Sequence, residues 1–267
     1  MPLFTDQLQR EVYLESFPHR IISLVPSITE LLFDLNLHDE VVGITKFCVH
    51  PESWFKTKAK IGGTKNIKQD IIASLKPQLI IANKEENVKE QIESLENICP
   101  VFITDVSDLN SALQMIEIIG AITNRIKQAQ SIIQKIKKEF AQLKLQQNKL
   151  RAGYLIWRKP YMTIGGDTFI NDMLERCGFE NVFKNYTRYP EISVSQLSTL
   201  NCQLLMLSSE PFPFKQKHIY ELQPYLPHTK IILVDGEMFS WYGSRLQLAP
   251  AYFLKLANEL KIKVAKP

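Results

Sequence analysis

Two stretches of this chain echo each other. Residues 67–85 can be laid over residues 192–210 at a constant offset of 125, without a gap. In both copies a short amphipathic segment leads through a polar turn into an unbroken apolar run, and a polar loop with a glutamate follows, Glu85 in one and Glu210 in the other. A weaker echo at an offset of 141 pairs residues 27–41 with 168–182. A repeated supersecondary unit needs neighbours of its own kind to bury its apolar face. The chain is therefore expected to fold as two similar α/β lobes.

The surrounding pattern agrees with that expectation. Strands are predicted at 20–24, 41–44, 79–82 and 101–103, with helices at 28–37, 68–75 and 87–95. Ser27 and Glu30 have the spacing of a capping box for the first helix, and 45–66 reads as a polar loop. Alternation of strands and helices at these lengths implies parallel pairing with helical crossovers. The second half repeats the scheme, with strands at 151–157, 204–207 and 231–234 and helices at 168–176, 193–200 and 246–260. Gly178 closes the first of those helices.

Between the halves, Ile126, Ala129, Ile133, Ile136, Phe140 and Leu143 recur at spacings of 3, 4, 3, 4 and 3, a single apolar stripe. A helix over 123–150 would be roughly 40 Å long. The expected architecture is an N-terminal extension (1–19), an α/β lobe (20–122), a backbone helix (123–150) and a second α/β lobe (151–267), with parallel-type sheets and a ligand cleft between the lobes.

Composition narrows the function. With 267 residues, 45% apolar and 22% charged, the chain is that of an ordinary folded protein. A formal net charge of +4 and the lack of an arginine tract give no reason to expect nucleic-acid binding. No apolar run reaches the roughly 18–20 residues needed to cross a bilayer, so no membrane insertion is expected. The opening residues carry Asp6, Arg10, Glu11 and Glu15 where a secretory signal would have its apolar core. They do not read as a leader. That predicts a cytoplasmic chain as written, or a periplasmic one from which a leader has been removed.

Cys48, Cys99, Cys177 and Cys202 form no CxxC pair, and the five histidines show no metal-binding spacing. Neither a structural zinc nor another metal site is expected. Phosphate-cradling glycine loops, G-x-S-x-G and H-E-x-x-H are all absent. Gly62-Gly63 and Gly165-Gly166 read as points where only glycine lets backbone or ligand approach.

Ligands of parallel α/β sheets sit beyond the carboxyl ends of the strands, and the loops predicted there are aromatic. Phe47, His50 and Trp54 follow the second strand, and Trp157, Arg158 and Tyr161 follow the first strand of the second half. Phe212 and Phe214 follow the 204–207 strand; Phe239, Trp241 and Tyr242 follow the last one. Rings with a few charged neighbours suit a large, flat, amphipathic ligand. Several could equally close the ends of the core.

Residues 20–33 (RIISLVPSITELLF), Val42-Gly43-Ile44-Thr45, Gly62-Gly63-Thr64 and Leu75-Lys76-Pro77, with the strand after it, resemble the substrate-binding proteins of ABC importers for cobalamin and ferric siderophores. Residues 163–170 (TIGGDTFI) and 177–181 (CGFEN) look like the matching second-lobe element. The cobalamin (vitamin B12) branch is the nearest match. The resemblance implies two lobes on one rigid helix, a ligand held between them, no catalysis and no resident cofactor, the corrinoid or ferric chelate being cargo. It implies cleft positions at or near Phe47, His50, Gly63, Thr64, Asn83, Trp157, Gly165, Phe239, Trp241 and Arg245; the loop reading adds Trp54 and Tyr161. It also implies docking on an ABC permease through one acidic residue per lobe. Asp70 matches the first, whereas Ser195 stands at the second.

Two other readings stay open. One is a cytoplasmic enzyme or sensor acting on a corrinoid-related ligand with Asp235, Glu237 and Arg245. The other is a scaffold that binds a protein partner at the cleft rim.

Overall fold

The computed structural model describes residues 3–143 and 150–260. They form two compact units that interleave along the chain. One gathers the residues up to Val106, Asn110–Lys137 and Tyr242–Arg245; the other gathers Ser107–Leu109, Lys138–Trp241 and the residues from Leu246 onward.

The first unit is built on a parallel sheet of five strands. In chain order its elements are the hairpin strands β1 (Leu3–Thr5) and β2 (Glu11–Tyr13), β3 (Ile21–Ser23), α1 (Pro26–Asp34), β4 (Val41–Ile44), α2 (Glu52–Thr57), β5 (Ala59–Lys60), α3 (Gln69–Ser74), β6 (Leu79–Asn83), α4 (Lys89–Leu95) and β7 (Val101–Thr104). The sheet order is β5-β4-β3-β6-β7, every pair parallel. All five residues of β6 are buried, as a central strand covered on both faces requires. The edge at β7 is closed by the turn between β1 and β2. Gln7 N donates to Ile103 O, Ile103 N to an Asp6 carboxylate oxygen, and Asp105 N to Gln7 Oε1. Such cover removes an exposed strand edge.

Two sequence expectations change here. The capping box at Ser27 and Glu30 does not form. Pro26 takes the first helical turn, where its fixed φ is already helical, so α1 begins earlier, with Val25 as N-cap and no side-chain cap. The loop expected over 45–66 contains α2 and β5, elements too short to leave a periodic signature.

α5 (Leu109–Ile122) and α6 (Ile126–Gln142) come next. The single helix expected over 123–150 is thus α6, 17 residues and about 26 Å long. Asn124 adopts a positive φ of 56° and turns the chain between the two helices. Residues 144–149 lie outside the described residues, and Leu150 already begins a strand. The buried stripe of α6 is Ala129, Ile132 and Ile136, while Ile126 is exposed.

The second unit holds β8 (Leu150–Leu155), β9 (Tyr161–Met162), α7 (Phe169–Arg176), β10 (Phe179–Asn181), β11 (Glu191–Ile192), α8 (Val194–Thr199), β12 (Leu204–Ser208), α9 (Gln216–Leu222), β13 (Lys230–Val234), α10 (Glu237–Ser240) and α11 (Ala249–Glu259). Its parallel sheet runs β10-β8-β12-β13, and β9 and β11 form an antiparallel pair beside it. Leu155, Phe183, Leu197, Leu205, Leu207 and Phe214 are among the residues of its core.

The repeat is literal. α3 and α8 begin and end 125 residues apart, and so do β6 and β12. Lys76 (φ 45°) and Asn201 (φ 51°), both just past their helices, share the left-handed conformation that turns helix into strand. Each strand of the pair has equivalent neighbours, β3 and β7 for β6, β8 and β13 for β12. The weaker echo places α1 before β4 and α7 before β10. Unlike α1, α7 has a side-chain cap, Thr168 accepting from Asn171 N. The protein is an α/β fold of two similar lobes with parallel sheets. Among the described residues no helix is long and apolar enough to cross a membrane.

Candidate functional site

Parallel strands end together, so the loops leaving β4, β5 and β6 gather at one edge of the first unit. Thr45, buried at the end of β4, accepts the N–H of Phe47 on its hydroxyl at 3.3 Å and touches Cys48 Sγ at 3.1 Å. That turn leaves Phe47 51% exposed. The ring lies on the Gly62-Gly63 turn that follows β5. A Cβ at Gly63 would stand 3.0 Å from the ring and 3.4 Å from Lys46 Cε, so the absent side chain is what seats both. The Lys46 ammonium lies over the Phe47 ring, 5.1 Å from its centre. Next in the turn, half-buried Thr64 offers its carbonyl to Asn87 Nδ2 at 3.1 Å.

Other expected positions in this unit have different work. Asn83 is buried. It accepts the N–H groups of Glu85 and Glu86 and donates to Thr104, organising the loop without reaching its surface. Trp54 is buried in α2, edge-on to Phe33 and His38. His50, two residues before α2, is half-buried. Asp70 is exposed in the first turn of α3.

Tyr242–Arg245 packs with this unit. Tyr242 donates its hydroxyl to Glu86 Oε1 at 2.6 Å, and Arg245 grips both oxygens of Glu30. Burial pushes the Glu30 carboxyl up, against the opposing pull of Arg245, and pushes the Tyr242 phenol well up.

At the carboxyl edge of the second sheet, Trp157 follows β8. It is 41% exposed and stands edge-on to Phe212, which follows β12. Tyr161 in β9 donates to Glu221 Oε1, whose carboxylate also takes Arg158 Nη2 at 2.7 and 2.8 Å. Burial raises the Tyr161 phenol. Gly165 is a close-approach point, but to its own chain: a Cβ there would sit 2.3 Å from the Tyr186 carbonyl oxygen.

Phe239 has no exposed surface and packs against Tyr154, Tyr252 and Phe253. Trp241 is buried as well and donates Nε1 to Glu210 Oε1 at 2.9 Å, an oxygen that Ser240 Oγ also approaches. Burial raises the Glu210 carboxyl. Asp235, Glu237 and Arg245, the acid–base candidates, each have polar partners. Asp235 Oδ1 caps the Glu237 N–H, and Arg245 is taken by Glu30. Ser195 on α8 lies beside the Ser193 hydroxyl.

Of the expected ligand positions, then, Phe47, Gly63 and Thr64 lie on one loop edge, and Trp157 with Tyr161 on another. Trp54, Asn83, Phe239 and Trp241 close cores or hold loops, because a ring or amide at a strand's end can point inward as readily as outward. Sequence reasoning passed over Lys46, although its place directly before Phe47 was visible. No group of histidine, cysteine and carboxylate side chains suited to a metal occurs among the described residues, and all four thiols are free and buried.

Residues 21–233 match the family described as periplasmic binding protein. The chain is 27% identical over 194 residues to a vitamin B12-binding protein of Vibrio parahaemolyticus, covering 71% of this chain and 70% of that one. Its fold is that of the periplasmic vitamin B12-binding protein BtuF of Vibrio cholerae (TM-score 0.75, 20% identity, 91% of this chain and 99% of that one). It is equally that of a periplasmic heme-binding protein of Pseudomonas aeruginosa (TM-score 0.78, 18% identity, 93% and 95%). With most of its length matched, this chain belongs to the periplasmic binding protein family.

Proposed function

We propose that this chain is a non-catalytic substrate-binding protein of the ABC-transporter type, whose cargo is a cobalamin-like corrinoid or another flat metal chelate such as haem. The observation that carries the reading is a pair of exposed rings, Phe47 and Trp157, each on a loop just past a parallel strand. Large aromatic surface kept in water at the place where such sheets bind ligands is suited to a flat apolar partner. The vitamin B12-binding relative and the haem-binding structure supply the ligand class. The chelate's metal travels with the cargo, and the protein holds no cofactor of its own.

The alternative of an enzyme or sensor working through Asp235, Glu237 and Arg245 is the weaker reading, since Arg245 is committed to Glu30. The partner that goes with the stronger one is an ABC permease, met through exposed Asp70; Ser195 offers no charge 125 residues on. The place of work that goes with it is the periplasm, and fractionation of the native host tests that placement.

Binding is tested with cyanocobalamin, cobinamide, haem and a ferric hydroxamate. Trp157 is exposed while Trp54 and Trp241 are buried, so an absorbing ligand on its loop should quench the accessible part of the tryptophan emission. Ligand at 100 times its dissociation constant should add about 2.7 kcal/mol of apparent stability. If none of the four quenches emission or raises Tm, the reading is wrong.

A further inference from the structure

Three lysines of the first unit lie over aromatic rings: Lys46 over Phe47, Lys58 over Trp54 and Lys60 over Phe55. Two of them have oxygen partners. Lys58 donates to the His38 carbonyl, and Lys60 to the carbonyls of Phe55 and Lys58. Lys46 has its ring and, among the described residues, no carboxylate or carbonyl oxygen on its ammonium. Its backbone is pinned, N–H to Gly62 O at 2.8 Å, and its stem lies on Gly63. The result is a positive charge with no anion among the described residues, held over an exposed ring at the carboxyl edge of a parallel sheet.

An exposed ring with an ammonium against it matches a flat ligand that carries an anion on its periphery. The ring takes the apolar plane, and the ammonium takes a carboxylate or phosphate in a charge-assisted hydrogen bond. We infer that Lys46 is a specificity-determining residue that selects cargo bearing a peripheral anionic group. The inference rests on the binding function proposed above. Two sources of that anion fit the chemistry: the carboxylates of a haem and the phosphodiester of a complete corrinoid. A corrinoid stripped of its nucleotide loop has neither.

The test compares the wild-type chain with Lys46→Gln, which keeps the stem and removes the charge, and with Lys60→Gln, which removes a charge already satisfied by carbonyls. Each is titrated with haem, cyanocobalamin and cobinamide at low and high salt. Lys46→Gln should weaken binding of an anion-bearing probe roughly five- to tenfold and leave cobinamide within about twofold. High salt should weaken that binding in the wild type and in Lys60→Gln, but much less in Lys46→Gln. A loss seen with haem alone assigns a carboxylate, and one seen with cyanocobalamin alone assigns a phosphate. If Lys46→Gln binds every probe as the wild type does, or the wild type prefers cobinamide, the inference is overturned while the binding function stands. If the wild type binds none of the three, the inference falls, and the binding function falls with it only where the ferric hydroxamate fails as well.

Discussion

The guanidinium of Arg245 meets the carboxylate of Glu30 at two points, Nε to Oε2 at 2.9 Å and Nη2 to Oε1 at 2.6 Å, across 215 residues of chain. Their side chains keep only 10% and 18% of their exposure. A carboxylate left alone in such a place is costly, because the partner that offsets its lost hydration is gone. Arg245→Met is expected to cost about 2–4 kcal/mol. Adding Glu30→Gln should return more than half of that loss, a coupling that a double-mutant cycle by urea unfolding measures. Strictly additive losses would mean that the pair is not coupled.

Phe239 and Phe47 were indistinguishable as loop aromatics, yet one has no exposed surface and the other is half in water. Phe239→Ala should destabilise the fold by about 3–5 kcal/mol through the cavity it leaves. Phe47→Ala should stay within about 0.5 kcal/mol of the wild type and lose affinity for the cargo instead. Equal urea midpoints for the two variants would contradict the placement of both rings.

Glu210 provides a pH signature. Its carboxyl is raised by burial from an ordinary value of 4.5, so between that value and its native one the folded state holds a proton the unfolded chain has released. Stability falls with rising pH wherever the native state binds more protons. The contribution is therefore fully present below about pH 4.5 and is lost as pH rises through the raised native value. Glu210→Gln, which keeps an oxygen for Trp241 Nε1, should flatten this part of the profile. Stability curves for the two proteins that run parallel from pH 4 to pH 8 would rule it out.

The left-handed residues after α3 and α8 give a matched pair. Lysine is strained at a positive φ, whereas asparagine tolerates it. Lys76→Gly should gain about 0.5–1 kcal/mol, and Asn201→Gly only a few tenths. Thermal or urea unfolding of both variants checks the order, and a larger gain at Asn201 would reverse the argument.

Much of the fold was legible because burial leaves a pattern. The short unbroken apolar runs of β6 and β12, bounded by polar turns, read as strands covered on both faces, and their common lead-in exposed the repeat. Parallel pairing followed from helices long enough to cross over. The central helix was over-extended at both ends, because an apolar period does not reveal a turn made by one asparagine. Its stripe was assigned to Ile133 where Ile132 is the buried residue; adjacent isoleucines carry no mark of which faces inward. The site was harder to read. Nothing in the local sequence separates Phe239, which fills a core, from Trp157, which faces water; the difference lies in tertiary partners, Tyr154 from the first strand of the unit and Tyr252 and Phe253 from its last helix. The acids that engage Tyr242, Trp241 and Arg245 were hidden for the same reason.

The interleaving of the two units sets a limit on dissection. The segment Tyr242–Arg245 belongs with residues more than a hundred positions upstream, while its flanks on either side belong to the other unit. A gene cut near position 150 would deprive the first product of its Arg245 anchor, taking that guanidinium from Glu30 and the Tyr242 hydroxyl from Glu86. Neither fragment should survive expression alone, and supplying the missing piece in trans should restore what a linear map of the domains would never suggest was shared.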